Sequence, residues 1–176
     1  MTSRSRVIDA SIRLVRKVLQ SRGHSGPLPS PSRARHDGTP ATSGYPGDFT
    51  GTPHIQYAPH NDAVADPGEV VWTWVPYEED HTQGKDRPAL IIGRDGPWLL
   101  ALQVTSQDHD RDAAQEARAG RYWEDIGTGG WDSRGRASEV RVNRILRIDP
   151  TTVRRIGAVL DEERFRHVAG AVLRHY

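Results

Sequence analysis

The second half of the chain alternates apolar and polar positions in a way that predicts β-strands. In the first of these segments Val70, Trp72 and Trp74 share one face and the other face is also mostly apolar, so we expect this strand to be covered on both sides. A "GRDG" turn between the second and third segments predicts a hairpin. The five predicted strands are "GEVVWTWVPY" (68–77), "ALIIG" (89–93), "PWLLALQVTSQ" (97–107), "RYWEDI" (121–126) and "SEVRVNRILRID" (138–149).

The chain ends with the strongest helical pattern of the sequence. Asp161 is placed to cap this helix, and Arg174 and His175 would fall in its last turn, where they suit the helix dipole. Its apolar stripe has the spacing of a core-facing helix and consists of Phe165, Val168, Ala169, Val172 and Leu173. A helical piece is also predicted near 111–119. Short strands with one terminal helix predict a mainly β fold, a small twisted barrel closed by that helix.

The first 66 residues are organised differently. Residues 1–22 carry apolar positions at helical spacing with Arg6, Arg13 and Lys17 opposite, which predicts a basic amphipathic helix. Residues 23–66 are rich in Pro, Gly and Ser and predict a linker without a core, with local order at "GYPGDFTG" and "HIQYAPH". We therefore expect one folded domain over 67–176.

Charge is distributed unevenly along the chain. Residues 1–36 carry eight Lys or Arg against Asp9 alone, a net charge of +7, which leaves −6 for the rest because the whole chain is +1. The basic helix can dock on its own protein, or it can contact anionic partners such as nucleic acid or a membrane surface. The chain has no cysteine, which excludes disulfides and thiol chemistry and suits a reducing cytosol. No apolar run reaches the roughly 20 residues that span a bilayer.

Two segments that could hold a ligand have weak patterns. The run "DHDRD" (108–112) contains metal-binding residue types, but its spacing matches no established ligand set and is typical of a solvated loop. "GTGG" (127–130) lacks the Lys-Ser/Thr and the following helix of a phosphate-binding loop. The remaining candidates are polar residues at strand ends, namely Arg87, Thr105, Ser106, Arg141 and Asn143.

Four segments in order resemble the MazF/PemK/Kid family of toxin–antitoxin ribonucleases over about residues 66–176. They are "GEVVWTWVPY", "GKDRPALIIGRD", "LLALQVTSQ" and "VRVNRILRID", followed by the terminal helix. The resemblance implies an SH3-like barrel that forms a two-fold homodimer, pairs with a cognate antitoxin protein, and cuts single-stranded RNA without a metal or other cofactor. Residues 1–65 have no counterpart in the compact members of the family.

The resemblance also implies site residues. Arg87 matches the family's Arg-Pro catalytic arginine, Thr105 its catalytic hydroxyl, and Arg141 a second catalytic arginine. Proline after Arg87 restricts the arginine to an extended conformation, which would hold its guanidinium at the strand entry, ready for a phosphate. The expected RNA-binding residues are Ser106, Gln107, Asn143, His81, Gln83 and Lys85.

At one position the chain departs from the family pattern. Asn143 stands where an Arg-x-Asp element has an acid, and an amide cannot accept a proton as a carboxylate does. Glu78, Glu79 or His81 could supply the base instead, or their loop is only a mobile acidic turn. Two other functions stay open: a non-catalytic module that binds nucleic acid or a peptide, and a regulatory protein that acts through its basic helix.

Overall fold

The computed structural model describes residues 44–107 and 113–176, so the predicted helix 1–22 and the run 108–112 lie outside the described residues. Within this part, six strands form one antiparallel sheet in the order β4-β5-β3-β2-β1-β6. The strands are β1 (Glu69–Pro76), β2 (Gly84–Asp95), β3 (Trp98–Thr105), β4 (Trp123–Gly127), β5 (Ser138–Ile148) and β6 (Arg155–Val159). The helices are α1 (Ala113–Arg118) and α2 (Glu162–Val172), with a 3₁₀ turn at Pro150–Thr152.

The strand ladder does not close, so the predicted closed barrel is wrong in this respect. β4 and β6 are the two edges of the sheet and do not pair with each other. Gly127, the last residue of β4, has φ +67°, in the left-handed region, and the chain turns out of the strand there. The loop that follows reaches β6 instead, and a Cβ built on Gly157 would lie 3.3 Å from the Cα of Trp131.

Apolar side chains are buried on both faces of the sheet, as the sequence predicts for the first strand. On one face Leu90, Leu102 and Val140 are buried against α2. On the other face Val71 and Ile91 are buried in a second cluster. The apolar surface of these strands is therefore covered within a single chain.

Helix α2 begins as predicted but ends earlier. The Asp161 carboxylate accepts a hydrogen bond from the Arg164 N–H at 3.0 Å, which confirms the cap. The helix ends at Val172, so Leu173 lies at its C-cap and is 53% exposed, and Ala171 takes its place in the buried stripe. For the same reason the last turn holds no basic residue. In the described ranges, neither helix has the length and apolar character needed to cross a membrane.

The described part of the predicted linker, residues 44–66, packs on the sheet. The Phe49 N–H donates to the Ile145 carbonyl at 2.8 Å, and the Tyr57 hydroxyl donates to the Leu160 carbonyl at 2.8 Å. These contacts confirm local order in the two segments where the sequence predicts it. The linker assignment remains a prediction for the residues before 44.

Candidate active site

The sheet splits at Pro88, and this split creates the candidate site. Pro88 pairs with Trp72 of β1, and a residue without an N–H can do so only where its nitrogen faces away from β1. The proline nitrogen therefore faces β3 and cannot donate a hydrogen bond to it. The pairing of β2 with β3 accordingly begins only at the next residue, Ala89, which lies opposite Gln103. From there β2 stays with β1 while β3 continues along β5, so the two central strands part.

The start of β2 is held close to β1 by a glycine. A Cβ on Gly84 would lie 2.4 Å from the Val75 carbonyl oxygen and 2.6 Å from the Trp74 ring, so only glycine fits. Three residues later Arg87 pairs with Thr73, which is fully buried. The Arg87 guanidinium therefore extends from a fixed strand rather than from a loop, as the Arg-Pro pattern predicts.

A cleft of about 490 Å³ occupies the split. Its lining residues are Trp72, Lys85, Arg87, Pro88, Val104, Thr105, Ser106, Trp131, Asp132, Ser133, Arg134, Arg136 and Ser138. Among these described residues, four cationic side chains face one carboxylate, which gives the lining a net charge of +3. In the described part of the chain no carboxylate lies within ion-pair distance of Arg87. The cleft thus offers a free guanidinium to an anion.

The end of β3 adds hydroxyl groups to the same cleft. The Thr105 hydroxyl oxygen accepts a hydrogen bond from the Gln107 N–H at 3.2 Å. Because a hydroxyl carries one hydrogen as well as its lone pairs, the Thr105 O–H remains free to donate to a ligand. Ser106 also lines the cleft, whereas Gln107 is exposed outside its lining.

Arg141 is occupied by a different partner. Its guanidinium donates two hydrogen bonds to the Glu78 carboxylate, at 2.7 and 3.0 Å, and its side chain is only 7% exposed. The Arg141 Nε–H also donates to the Asn143 Oδ1 at 3.3 Å. Hydrogen bonds from Arg141 lower the pKa of Glu78 below its usual range. Glu78 is therefore ionised at neutral pH and is a weak base.

Asn143 ties β5 to the chain before β4. Its Oδ1 accepts the Tyr122 N–H at 3.2 Å, and its Nδ2–H donates to the Gly120 carbonyl. With the Arg141 contact, these bonds use both ends of the amide. The position of the family's acid is thus filled by a structural link.

The β1–β2 loop, residues 77–83, is compact and hydrogen-bonded. The Asp80 carboxylate accepts from the Thr82 hydroxyl at 2.6 Å and from the Gln83 Nε2–H at 2.7 Å. These bonds lower the pKa of Asp80. His81 packs edge-on against Tyr45, with ring centroids 4.9 Å apart. His81 and Gln83 are therefore outside the lining of the cleft.

The same loop is fixed from behind by Arg144. This buried guanidinium donates to the Asp48 carboxylate at 2.8 Å and to the Pro76 carbonyl at 3.1 Å. Burial raises the pKa of Asp48, but hydrogen bonds from Arg144 and Tyr45 outweigh this and leave the pKa below its usual range. Residues 44–49 thus help to hold the loop that leads into β2.

Comparison with known proteins now identifies the family. Residues 66–176 match the family described as PemK-like, MazF-like toxin of type II toxin–antitoxin system. This chain belongs to the PemK/MazF-like toxin family. A search of curated proteins finds no match. Similar solved structures include MazF (Form-I) from Deinococcus radiodurans, with 21% identity over 63% of this chain and 94% of that one and a TM-score of 0.45. Another is MazE-MazF (Form-II) from the same organism, with 20% identity, the same coverage and a TM-score of 0.43.

Within this PemK/MazF-like domain eight of the nine predicted site residues fall into two groups, and Gln107 belongs to neither. One group lines the cleft and comprises Lys85, Arg87, Thr105 and Ser106. The other lies outside the lining and comprises His81 and Gln83 of the β1–β2 loop, Arg141, which binds Glu78 of that loop, and Asn143, which binds Arg141. Thr105 lies opposite Glu139 of β5. Arg141 is two residues further along β5, a separation of about 7 Å along the strand. The two groups are neighbours, but only residues of the first group line the cleft.

The loop between β4 and β5 contributes cleft residues that sequence reasoning missed. Arg134, Arg136 and Trp131 line the wall, together with Trp72 of β1. Their signal in the sequence is the pair of arginines in "DSRGR" (132–136), which Trp131 separates from the glycines of "GTGG". A Cβ on Gly129 would lie 2.2 Å from the Trp131 ring, so that glycine makes room for the tryptophan. In the described ranges no cluster of His, Asp or Glu has the make-up of a metal site, and "DHDRD" lies outside them.

Proposed function

We propose that this PemK/MazF-like toxin is an endoribonuclease that cuts single-stranded RNA in the cleft between β2 and β3. The observation that carries the proposal is the free Arg87 guanidinium, which shares a positively charged cleft with the Thr105 hydroxyl. Phosphodiesters are anions with paired oxygens, and an arginine fork binds such a pair with two parallel hydrogen bonds. An open cleft of this kind admits a flexible strand.

The reaction is a transesterification within the RNA strand. The 2′-hydroxyl gives its proton to water as its oxygen attacks the adjacent phosphorus, the P–O2′ bond forms, the P–O5′ bond breaks, and the leaving 5′-oxygen takes a proton from water. The products are a 2′,3′-cyclic phosphate and a 5′-hydroxyl. Negative charge grows on the phosphoryl oxygens in the transition state, and Arg87 with the Thr105 O–H would stabilise it through fixed donors. Lys85 and Ser106 would bind the same phosphate or its neighbours.

The proposal assigns Arg141 a positioning role. Its guanidinium is bound to Glu78 on both sides of the fork, so contact with RNA would first require Glu78 to leave. While the pair holds, Arg141 fixes the loop that leads to Gly84 and so the start of the strand that carries Arg87. A direct catalytic role for Arg141, which the family resemblance implies, would require the loop to open when RNA binds.

Partners follow from family membership. A toxin of a type II system implies a cognate antitoxin protein, and we extend this expectation, together with a homodimer, to this chain. The sheet gives no separate support for the dimer, because its apolar faces are covered within one chain. Light scattering with and without a co-expressed antitoxin tests both expectations, and a monomer at micromolar concentration would contradict the homodimer.

A nucleic-acid-binding or peptide-binding module without catalysis is the second candidate. Asn143 favours it, because the amide stands at the family's acid position and both its oxygen and its nitrogen make hydrogen bonds within the protein. Arg87 and Thr105 would then contact phosphates without reaction.

An RNA cleavage assay with end-group analysis separates the two functions. Purified protein is incubated with single-stranded RNA of mixed sequence, with and without a chelator, and the product ends are analysed. The ribonuclease proposal expects cyclic phosphate ends in both conditions. Binding of RNA without any cleavage would support the binding module instead.

A further inference from the structure

The wall of the cleft opposite Arg87 is built on an anchored tryptophan. Trp131 is 3% exposed, and its indole N–H donates to the Ser138 hydroxyl at 3.1 Å. Its carbonyl accepts the Trp72 indole N–H at 3.3 Å. These bonds fix the loop at both sides of the cleft. The residues that follow Trp131 are thereby held at the opening.

Two arginines follow this anchor, and they differ in their partners. The Asp132 carboxylate accepts from the Arg136 Nε–H at 2.7 Å and from the Arg134 backbone N–H at 2.9 Å. The Arg136 hydrogen bond and the Arg134 N–H lower the pKa of Asp132, so this carboxylate stays ionised and neutralises Arg136. The Arg134 guanidinium has no carboxylate within ion-pair distance in residues 44–107 or 113–176.

The cleft therefore holds two unneutralised guanidinium groups on different walls, Arg87 on β2 and Arg134 on the β4–β5 loop. A single phosphate needs only one arginine fork. RNA carries a phosphate at every nucleotide, so a strand whose reacting phosphate lies at Arg87 has further phosphates one nucleotide away on either side. Lys85 is not an equivalent partner, because it lies on the same strand as Arg87 and its Nζ is 5.8 Å from the Tyr77 ring centroid.

We propose that Arg134 is a second phosphate-binding residue, which holds the phosphate of a neighbouring nucleotide and makes the cleft select strands over single phosphodiesters. This inference rests on the proposed function for the identity of the ligand. Arg134 would bind substrate without acting on the reacting phosphate. Its loss should raise the KM for long RNA and leave kcat nearly unchanged, whereas loss of Arg87 should lower kcat.

Binding of uncleavable DNA strands tests this without relying on catalysis. The probes are 2′-deoxy oligonucleotides of mixed sequence, one of two nucleotides with a single phosphate and one of six nucleotides. Arg134→Ala should weaken binding of the six-nucleotide probe about tenfold and reduce its salt slope by about 0.7. Binding of the two-nucleotide probe should not change. The matched control is Arg118→Ala, an exposed arginine of α1 outside the lining of the cleft.

Each result decides between defined alternatives. The proposal would be overturned if Arg134→Ala and Arg118→Ala bound the longer probe with equal affinity. It would also be overturned if Arg134→Ala lost the same affinity for the shorter probe as for the longer one. Arg134→Glu gives a second check, because a reversed charge should weaken the longer probe more than alanine does. If the parent binds the longer probe through Arg134 but cuts no RNA, the second phosphate site stands and the ribonuclease fails. If the parent binds neither probe, the second phosphate site fails, and the ribonuclease proposal is decided separately by the RNA cleavage assay.

Discussion

Removal of the Glu78 charge should destabilise the protein by about 1–2 kcal/mol. Exposed ion pairs contribute about 0–1 kcal/mol, and removing one partner of a buried pair costs about 3–5 kcal/mol. The Glu78–Arg141 pair lies between these limits, since the Arg141 side chain is 7% exposed and that of Glu78 is 47% exposed. Glu78→Gln leaves the buried guanidinium without its charge partner and keeps the size of the side chain. Urea unfolding at pH 7 measures the loss.

The neighbouring carboxylate supplies the control. Glu79 is exposed and makes no ion pair with the described residues, so Glu79→Gln should change the free energy of unfolding by less than about 0.5 kcal/mol. Equal stability of the two variants would refute the importance of the pair.

The ion pair should also make stability depend on pH. The pKa of Glu78 is lowered in the folded state, so the carboxylate stabilises the fold above its ordinary pKa of 4.5, and this stabilisation is lost as pH falls through the folded pKa. The stability difference between parent and Glu78→Gln should therefore shrink below about pH 4.5.

Three further predictions concern other parts of the chain. Gly129→Ala forces a Cβ against the Trp131 ring, at 2.2 Å, and should cost about 1–3 kcal/mol in urea unfolding, whereas Gly170→Ala on the open face of α2 should gain about 0.5–1 kcal/mol. A Gly129→Ala variant more stable than Gly170→Ala would contradict the packing of the β4–β5 loop. Thr105→Val should slow RNA cleavage by about tenfold, less than loss of the Arg87 fork, because a neutral hydroxyl is the weaker donor; an unchanged rate would exclude Thr105. Deletion of residues 1–36 should flatten the salt dependence of RNA affinity, and an unchanged slope would assign that basic segment another role.

Local patterns predicted the parts of the site that depend on neighbouring residues. Arg87 and Thr105 stand at strand ends defined by short apolar runs, and the structure brings them to one cleft. Pro88 was interpreted as restricting Arg87, and the structure adds a second effect, since the missing N–H ends the β2–β3 ladder. The alternation in the first strand also predicts that this strand is covered on both faces, and core clusters lie on both sides of the sheet.

The parts that were missed depend on residues far apart in the sequence. Arg141 and Glu78 are 63 positions apart, and no local pattern shows that the arginine expected at the phosphate is bound to a carboxylate. Arg134 reaches the cleft on a loop whose Trp131 carbonyl accepts a hydrogen bond from the Trp72 indole N–H, 59 positions away. Strand β6 is missed by the sequence pattern because it is a five-residue edge strand containing an arginine and a glycine, and it pairs with β1, far away in the sequence.

The most direct test of the proposed function compares the RNA cleavage rates of the parent, Arg87→Lys and Arg94→Lys at saturating substrate. Lysine keeps the charge but loses the planar fork, so Arg87→Lys should cut about 100- to 1,000-fold more slowly. Arg94 lies on the same strand, outside the cleft, and its variant should cut at the parental rate. Cleavage by Arg87→Lys as fast as by the parent would contradict the assignment of the reaction to this cleft.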